Sequence, residues 1–273
     1  TIAGHVNITN STIRMNGTGN DVSNIFVQSG GWLIINPSSN ITNGDISTAY
    51  FRFEVNSGSN FSMLNSHLEN AGWEGNNPGL YIEADNVLIK NNIFKNNYAA
   101  ISLDFSHYTN ITGNNITNCR YQGIYSIGSD NVLIDGNYLN DATSGSVSVA
   151  VPILVYNSNN HIVKDNKIGP NVNRGIFYRS VIDNLLVENN TIYGTIDTGI
   201  DMYSTGNNIT IKNNYINDTG NDAIRINENI NDVYIYNNII DNSQYGTQIT
   251  RDIIGVEFYN NIINNTVSYG IMF

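Results

Sequence analysis

Four stretches of this 273-residue chain are near-copies of one another: NLLVENNTI (184–192), NITIKNNYI (208–216), DVYIYNNII (232–240) and GVEFYNNII (255–263). Each holds apolar residues two apart, then two asparagines, then one more apolar residue two positions on. About eight residues later comes a second apolar pair, often behind Gly or Ala: TGIDM (198–202), DAIRI (222–226), YGTQI (245–249) and YGIMF (269–273). The copies begin 24, 24 and 23 residues apart. A fixed period of that size is the mark of a solenoid, whose repeats cannot bury an apolar face alone. Alternation of period two with many β-branched residues makes the segments strands. Three short strands and tight turns per repeat predict one coil of a parallel β-helix.

Aligning the apolar residue after the turn extends the repeat over the chain. Ile13, Ile41, Leu68, Phe94, Ile116, Leu139, Ile168, Ile192, Ile216, Ile240 and Ile263 stand in register, which predicts about eleven coils. The fold expected is all-β: one solenoid domain over 1–273, with degenerate coils and longer loops in 1–85 and regular coils in 86–273. Ser11, Ser39 and Ser66 replace the second asparagine in the first three copies. Loop excursions are expected at 17–21, 43–48, 71–78 and 141–148. At about 4.8 Å per coil the rod is roughly 50 Å long.

Asparagine makes up 51 of the residues. It tolerates the left-handed backbone of a sharp corner, and stacked amides bond one another above and below. The pairs at 91–92, 189–190, 213–214, 237–238 and 260–261 fit such corners.

Hydrophobicity alone sets a register for the first strand of each coil. Inward pairs are Val87/Ile89, Thr109/Ile111, Val132/Ile134, His161/Val163, Leu185/Val187, Ile209/Ile211 and Val233/Ile235. The outward residues that follow put Asp135, Lys164, Glu188 and Lys212 in one column of alternating sign, which favours pairing. The other outward position carries Leu88, Asn110, Leu133, Ile162, Leu186, Thr210 and Tyr234. So many aliphatic groups facing solvent predict a covered or contacting surface.

Acidic residues outnumber basic ones by 23 to 12, for a formal net charge of −11. Such a surface repels phosphate, so neither nucleic acid nor an anionic membrane is expected as a partner. No apolar run is long enough to insert in a membrane as a helix, and no secretory leader is read. A chain that opens on Thr1 and stops within a coil is read as a processed form or a fragment. Open strand edges at its ends give the alternative expectation of head-to-tail assembly. Cys119 is alone, and the four histidines show no ligand spacing, so no metal and no cofactor are expected.

Chemistry is sought on the strand of the second apolar pair. Its outward positions carry Ser102, Tyr125, Leu154, Phe177, Asp201, Arg225 and Gln248, beside Asp104, Ile127, Tyr156, Arg179, Tyr203, Asn227 and Thr250. Aromatics between acids and arginines suit a polysaccharide, whose apolar faces stack on rings while its hydroxyls meet polar groups. Tyr125, Phe177, Arg179 and Tyr203 are the candidate carbohydrate contacts. Asp201 and Arg225, one coil apart, read equally as a plain ion pair. Catalysis of the glycosidase type requires Asp197, Asp201 or Asp222 to converge with Arg225 near by. His107, at a corner after Asp104, is the histidine expected nearest this face, while His161 reads as a core residue.

Eleven Asn-x-Ser/Thr sequons begin at Asn7, Asn10, Asn16, Asn40, Asn60, Asn110, Asn115, Asn189, Asn208, Asn217 and Asn264. They are candidate glycosylation sites and point to an exported protein.

The NNxI coils from about Val87 onward resemble the right-handed parallel β-helix repeats of pectate-lyase-like proteins. Their Asn-rich, sequon-rich and Lys-poor style is most similar to archaeal surface and S-layer-associated proteins. That resemblance implies an extracellular, cell-surface protein with a structural or adhesive role and copies of itself or envelope components as partners. The alternative it implies is a polysaccharide lyase or glycoside hydrolase. Polygalacturonases of this fold carry Asn-Thr-Asp, Asp-Asp, Gly-His-Gly and Arg-Ile-Lys motifs. Here Gly4-His5 is followed by Val6, Arg225-Ile226 by Asn227, and the other two motifs are absent.

Overall fold

The computed structural model describes residues 1–15, 19–43, 49–73, 78–140, 151–251 and 253–273. Sequon Asn16 and most of the expected loop excursions lie outside that set. Residues 19–21, expected in a loop, instead begin the strand Gly19–Val27.

Thirty strands and no helix are found among the described residues, and every ladder is parallel. They form three columns of eleven strands, some strands turning a corner to serve two columns. The first column climbs from His5–Ile8 through Leu185–Glu188 to Ile254–Tyr259. The second climbs from Thr12–Met15 through Thr191–Thr195 to Ile262–Asn264. The third runs from Gly19–Val27 through Ile176–Val181 to Tyr269–Met272. The fold is the expected parallel β-helix.

The inward residues build one continuous core along the axis. Val187, Ile211 and Ile235 are stacked and fully buried, in the register that hydrophobicity alone assigns. The charge column also falls as expected, with Lys164 Nζ 3.5 Å from Asp135 and Lys212 Nζ 3.2 Å from Glu188. His161 sits in the core, its Nε2 2.7 Å from the Ser129 carbonyl, and desolvation lowers its pKa to about 4.

The two asparagines of each pair do different things, a distinction the expectation of corner residues leaves out. The first takes the left-handed corner, with φ near 55° at Asn91, Asn189, Asn213, Asn237 and Asn260. The second turns inward. Asn92, Asn114, Asn137, Asn166, Asn190, Asn214, Asn238 and Asn261 form an unbroken ladder, each Nδ2 donating to the next Oδ1 at 2.9–3.0 Å. Ser66 takes the same position one coil earlier, where its backbone N–H donates to Asn92 Oδ1.

The Gly before the third strand answers a close approach. A Cβ at Gly199 lies 2.6 Å from the Ala223 carbonyl oxygen and 2.7 Å from an Ile216 methyl. Only the smallest residues fit a corner where coils touch this closely.

The outward column with the aliphatic groups stands in the expected order and register. Asn110 stands between Leu88 and Leu133, so only Leu133, Ile162 and Leu186 are contiguous. Ile162 is exposed and its two neighbours half-buried.

Candidate carbohydrate-binding groove

The third column supplies the outward face on which chemistry is expected, and its register stacks the outward residues in the order read from the sequence. Tyr81, Ser102, Tyr125, Leu154, Phe177, Asp201, Arg225 and Gln248 follow one another up the coils. Two separate arrangements result.

The first is a groove of about 420 Å³. Ser102 is the small residue between Tyr81 and Tyr125, so a hollow opens with Ser102 buried at its floor. Tyr98 and Tyr121, stacked with ring centroids 5.6 Å apart, form part of its wall. Arg52, Asp104 and Gln122 supply polar edges, and Pro78, Ala99 and Ile127 apolar ones. The Tyr81 hydroxyl meets Asp104 Oδ2 and, at 3.1 Å, Glu83 Oε1. Burial first, then those two carboxylates, hold the Tyr81 phenol well above its ordinary range. Burial likewise raises the Tyr125 pKa.

The second arrangement is a packed charge cluster three coils on. Arg225 grips Asp201 with two hydrogen bonds, Nε to Oδ1 at 2.9 Å and Nη2 to Oδ2 at 2.6 Å. Arg174 Nε reaches Asp201 Oδ2 at 3.0 Å and Asp197 Oδ2 at 3.1 Å. Asp222 Oδ2 stands 3.5 Å from Arg225 Nη1, and its other oxygen is buried without a partner. Desolvation, opposed by Arg225 and reinforced by Asp197 and Asp201, raises the Asp222 pKa to about 6. Asp197 goes the other way: burial works against ionisation, but Asn221, Arg225 and Arg174 outweigh it and lower its pKa.

Asp197, Asp201 and Asp222 therefore do converge. Asp201, expected to face outward into solvent, is only 1% exposed because two guanidiniums cover it. The ion-pair reading of Asp201 and Arg225 is the one the geometry bears out. His107 is not brought to either arrangement. It sits at a corner four coils from Asp201, where its Nδ1 accepts the Asp130 N–H at 3.0 Å. The corner after Asp104 is where the sequence puts it, but it is not among the residues that line the groove.

Of the four candidate sugar contacts, Tyr125 lines the groove. Phe177 lies beneath Arg174, whose guanidinium is 4.3 Å from the ring centre. Arg179 and Tyr203 border a shallower hollow of about 280 Å³ with Tyr156 and Glu228. Tyr81, Tyr98, Tyr121, Arg52 and Arg174 were not singled out by the sequence. The 23-residue step from Tyr98 to Tyr121 was the available signal. Among the described residues no group of histidines, cysteines or carboxylates is arranged to hold a metal ion.

The right handed beta helix region family matches residues 78–214 and 152–273, which together exceed half of the sequence. The chain belongs to the right handed beta helix family. No curated protein matches it. Among solved structures it is similar to the Dettilon tailspike protein, at 13% identity and TM-score 0.70 over 98% of this chain and 61% of that one. This chain thus spans less than two thirds of the tailspike. It is also similar to the periplasmic alginate epimerase AlgG, at 13% identity and TM-score 0.66, over 98% of this β-helix and 82% of the epimerase. An exopolygalacturonase from Thermotoga maritima matches at 11% identity and TM-score 0.58, covering 96% and 81%. At such identities the likeness concerns the fold.

Proposed function

We propose that this β-helix is an extracellular or envelope-associated protein that binds polysaccharide along its third-column face. The observation that carries the reading is the tyrosine groove over Ser102. Four phenol rings and a short polar edge match the stacking and hydrogen-bonding needs of a sugar chain. The buried acidic cluster supports binding over cleavage. General acid catalysis needs a carboxyl that reaches its substrate, and Asp201 and Asp222 are 1% exposed and covered by arginine. Cleavage, as lyase or hydrolase, is the second reading, and the raised Asp222 beside an ionised Asp197 is what favours it. An adhesive role at a cell surface accords with the exposed sequons: eight of the eleven asparagines are exposed, and Asn40 and Asn217 are half-buried.

An array of envelope and plant polysaccharides tests the proposal. Tyr121→Ala is expected to weaken the recognised glycan about ten-fold, near 1.4 kcal/mol, with the melting temperature little changed. Tyr215→Ala, an exposed tyrosine on the neighbouring face, is the control that leaves affinity unchanged. An array without any ligand retires the reading, and shortened glycans after incubation convert it to the enzymatic one.

A further inference from the structure

The charges around the groove select among polysaccharides. Three carboxylates, Glu54, Glu83 and Asp104, stand at or beside it. The guanidinium that lines it, Arg52, is held by Glu54 at 2.8 Å. Arg120, next to Tyr121 in the chain, is exposed and does not line the groove. The Tyr81 hydroxyl lies against both Asp104 and Glu83, and its single proton can serve only one of them. Among these groups three carboxylates face one guanidinium and one phenol proton, so this edge of the groove is net negative.

We propose that this groove takes a polysaccharide of amino sugars and rejects polyuronates. The inference rests on the reading of the groove as a glycan site. An ammonium on the sugar donates to Asp104 or Glu83 as a charge-assisted hydrogen bond, stronger than a neutral one from a hydroxyl. Arg52 already rests over the Tyr81 ring, 5.9 Å from its centre, and the Tyr125 ring offers a sugar ammonium a similar surface. A uronate places its carboxylate in the same negative field, reinforced by a chain of net charge −11, and is repelled. Neutral sugars keep the stacking and lose the ionic contribution.

Calorimetry with three six-sugar probes, a glucosamine oligomer, cellohexaose and a galacturonate oligomer, tests this. The measurement is made at about pH 5.5, where carboxylates are ionised and sugar amines carry a proton. The glucosamine oligomer is expected to bind about ten-fold tighter than cellohexaose, and the galacturonate oligomer not to bind. Asp104→Asn, which keeps the shape and removes the charge, is expected to abolish the preference for the glucosamine oligomer over cellohexaose. Raising the salt on the unaltered protein is expected to shrink the same preference. Equal affinity for the first two probes overturns the amino-sugar assignment, as does galacturonate binding that Tyr121→Ala removes. Either result leaves the groove a glycan site. Silence from all three probes and from the array overturns both proposals.

Discussion

Asn190 donates its side-chain N–H to Oδ1 of Asn214 at 3.0 Å, and that oxygen also accepts the Asn190 backbone N–H at 2.9 Å. Asn214 in turn donates to the Val187 carbonyl and to Asn238, both at 3.0 Å. Each inward asparagine thus meets the needs of its own corner and the one before it, and from Asn92 to Asn238 these residues are buried. Removing one rung strands donors and an acceptor on both sides. Asn214→Ala is expected to cost about 3 kcal/mol or more, since each buried polar group left unpaired costs about 1–3. Asn213→Gly keeps the φ of 56° that the corner needs and is expected to cost about 1 kcal/mol or less. Urea unfolding of the two variants checks this, and equal losses remove the ladder from the account of stability.

Ile211 and Lys212 are adjacent in the chain and opposite in environment. Ile211 is fully buried between Val187 and Ile235, whereas Lys212 reaches Glu188 from a partly exposed position. Ile211→Asp is expected to cost several kcal/mol, through a buried, unpaired carboxylate and lost apolar contact. Lys212→Ala is expected to cost well under about 1 kcal/mol, because Glu188 stays hydrated. Comparable midpoints for the two variants overturn the register.

What the sequence made legible was whatever repeats. Ile211 and Lys212 fall on their faces because period two and a 24-residue step determine both the strand and its register. The same step placed Asp201 against Arg225. It did not show that Arg174, in the corner before Gly175, covers Asp201 from the other side. Nor did it show that Asn213 and Asn214 divide the corner between backbone shape and buried amide, because the two residues are chemically identical. The groove was missed for a related reason. Tyr81 belongs to the less regular N-terminal coils, and the hollow depends on Ser102 being small beside two large neighbours. That is a relation across three coils which no single repeat displays.

Arg225 holds the cluster together from above. It contacts Asp197, Asp201 and Asp222, and the nearest of them, Asp201, is almost fully buried. Arg225→Met keeps most of the side-chain volume and leaves Asp201 with Arg174 alone. Breaking one side of a buried ionic network costs about 3–5 kcal/mol, and a loss near the lower end is expected because Arg174 remains. Thermal unfolding at neutral pH reads it. A variant as stable as the parent assigns the cluster no part in stability.

Asp222 gives the chain a stability that depends on pH with a definite sign. Burial raises its folded pKa to about 6, above the roughly 3.9 of an unfolded aspartate. The folded state therefore binds the proton more tightly. Its contribution to stability is fully present below about pH 4 and is lost as pH rises toward 6. At neutral pH the ionised carboxylate is a cost, with Oδ1 buried and unpartnered. Asp222→Asn removes that titration and can turn its amide N–H₂ toward the place of Oδ1. The variant is expected to be more stable than the parent at pH 7 by about 1–2 kcal/mol, part of the roughly 1.4 kcal/mol per pH unit that the shift represents. The advantage is expected to shrink to nothing by about pH 4. His161, whose pKa is lowered to about 4, works in the opposite sense, losing stability as pH falls below the ordinary histidine range. It does so in both proteins, so the difference between them isolates Asp222. Urea midpoints across this range decide it: a difference that does not vary with pH shows that folding leaves the Asp222 pKa unshifted.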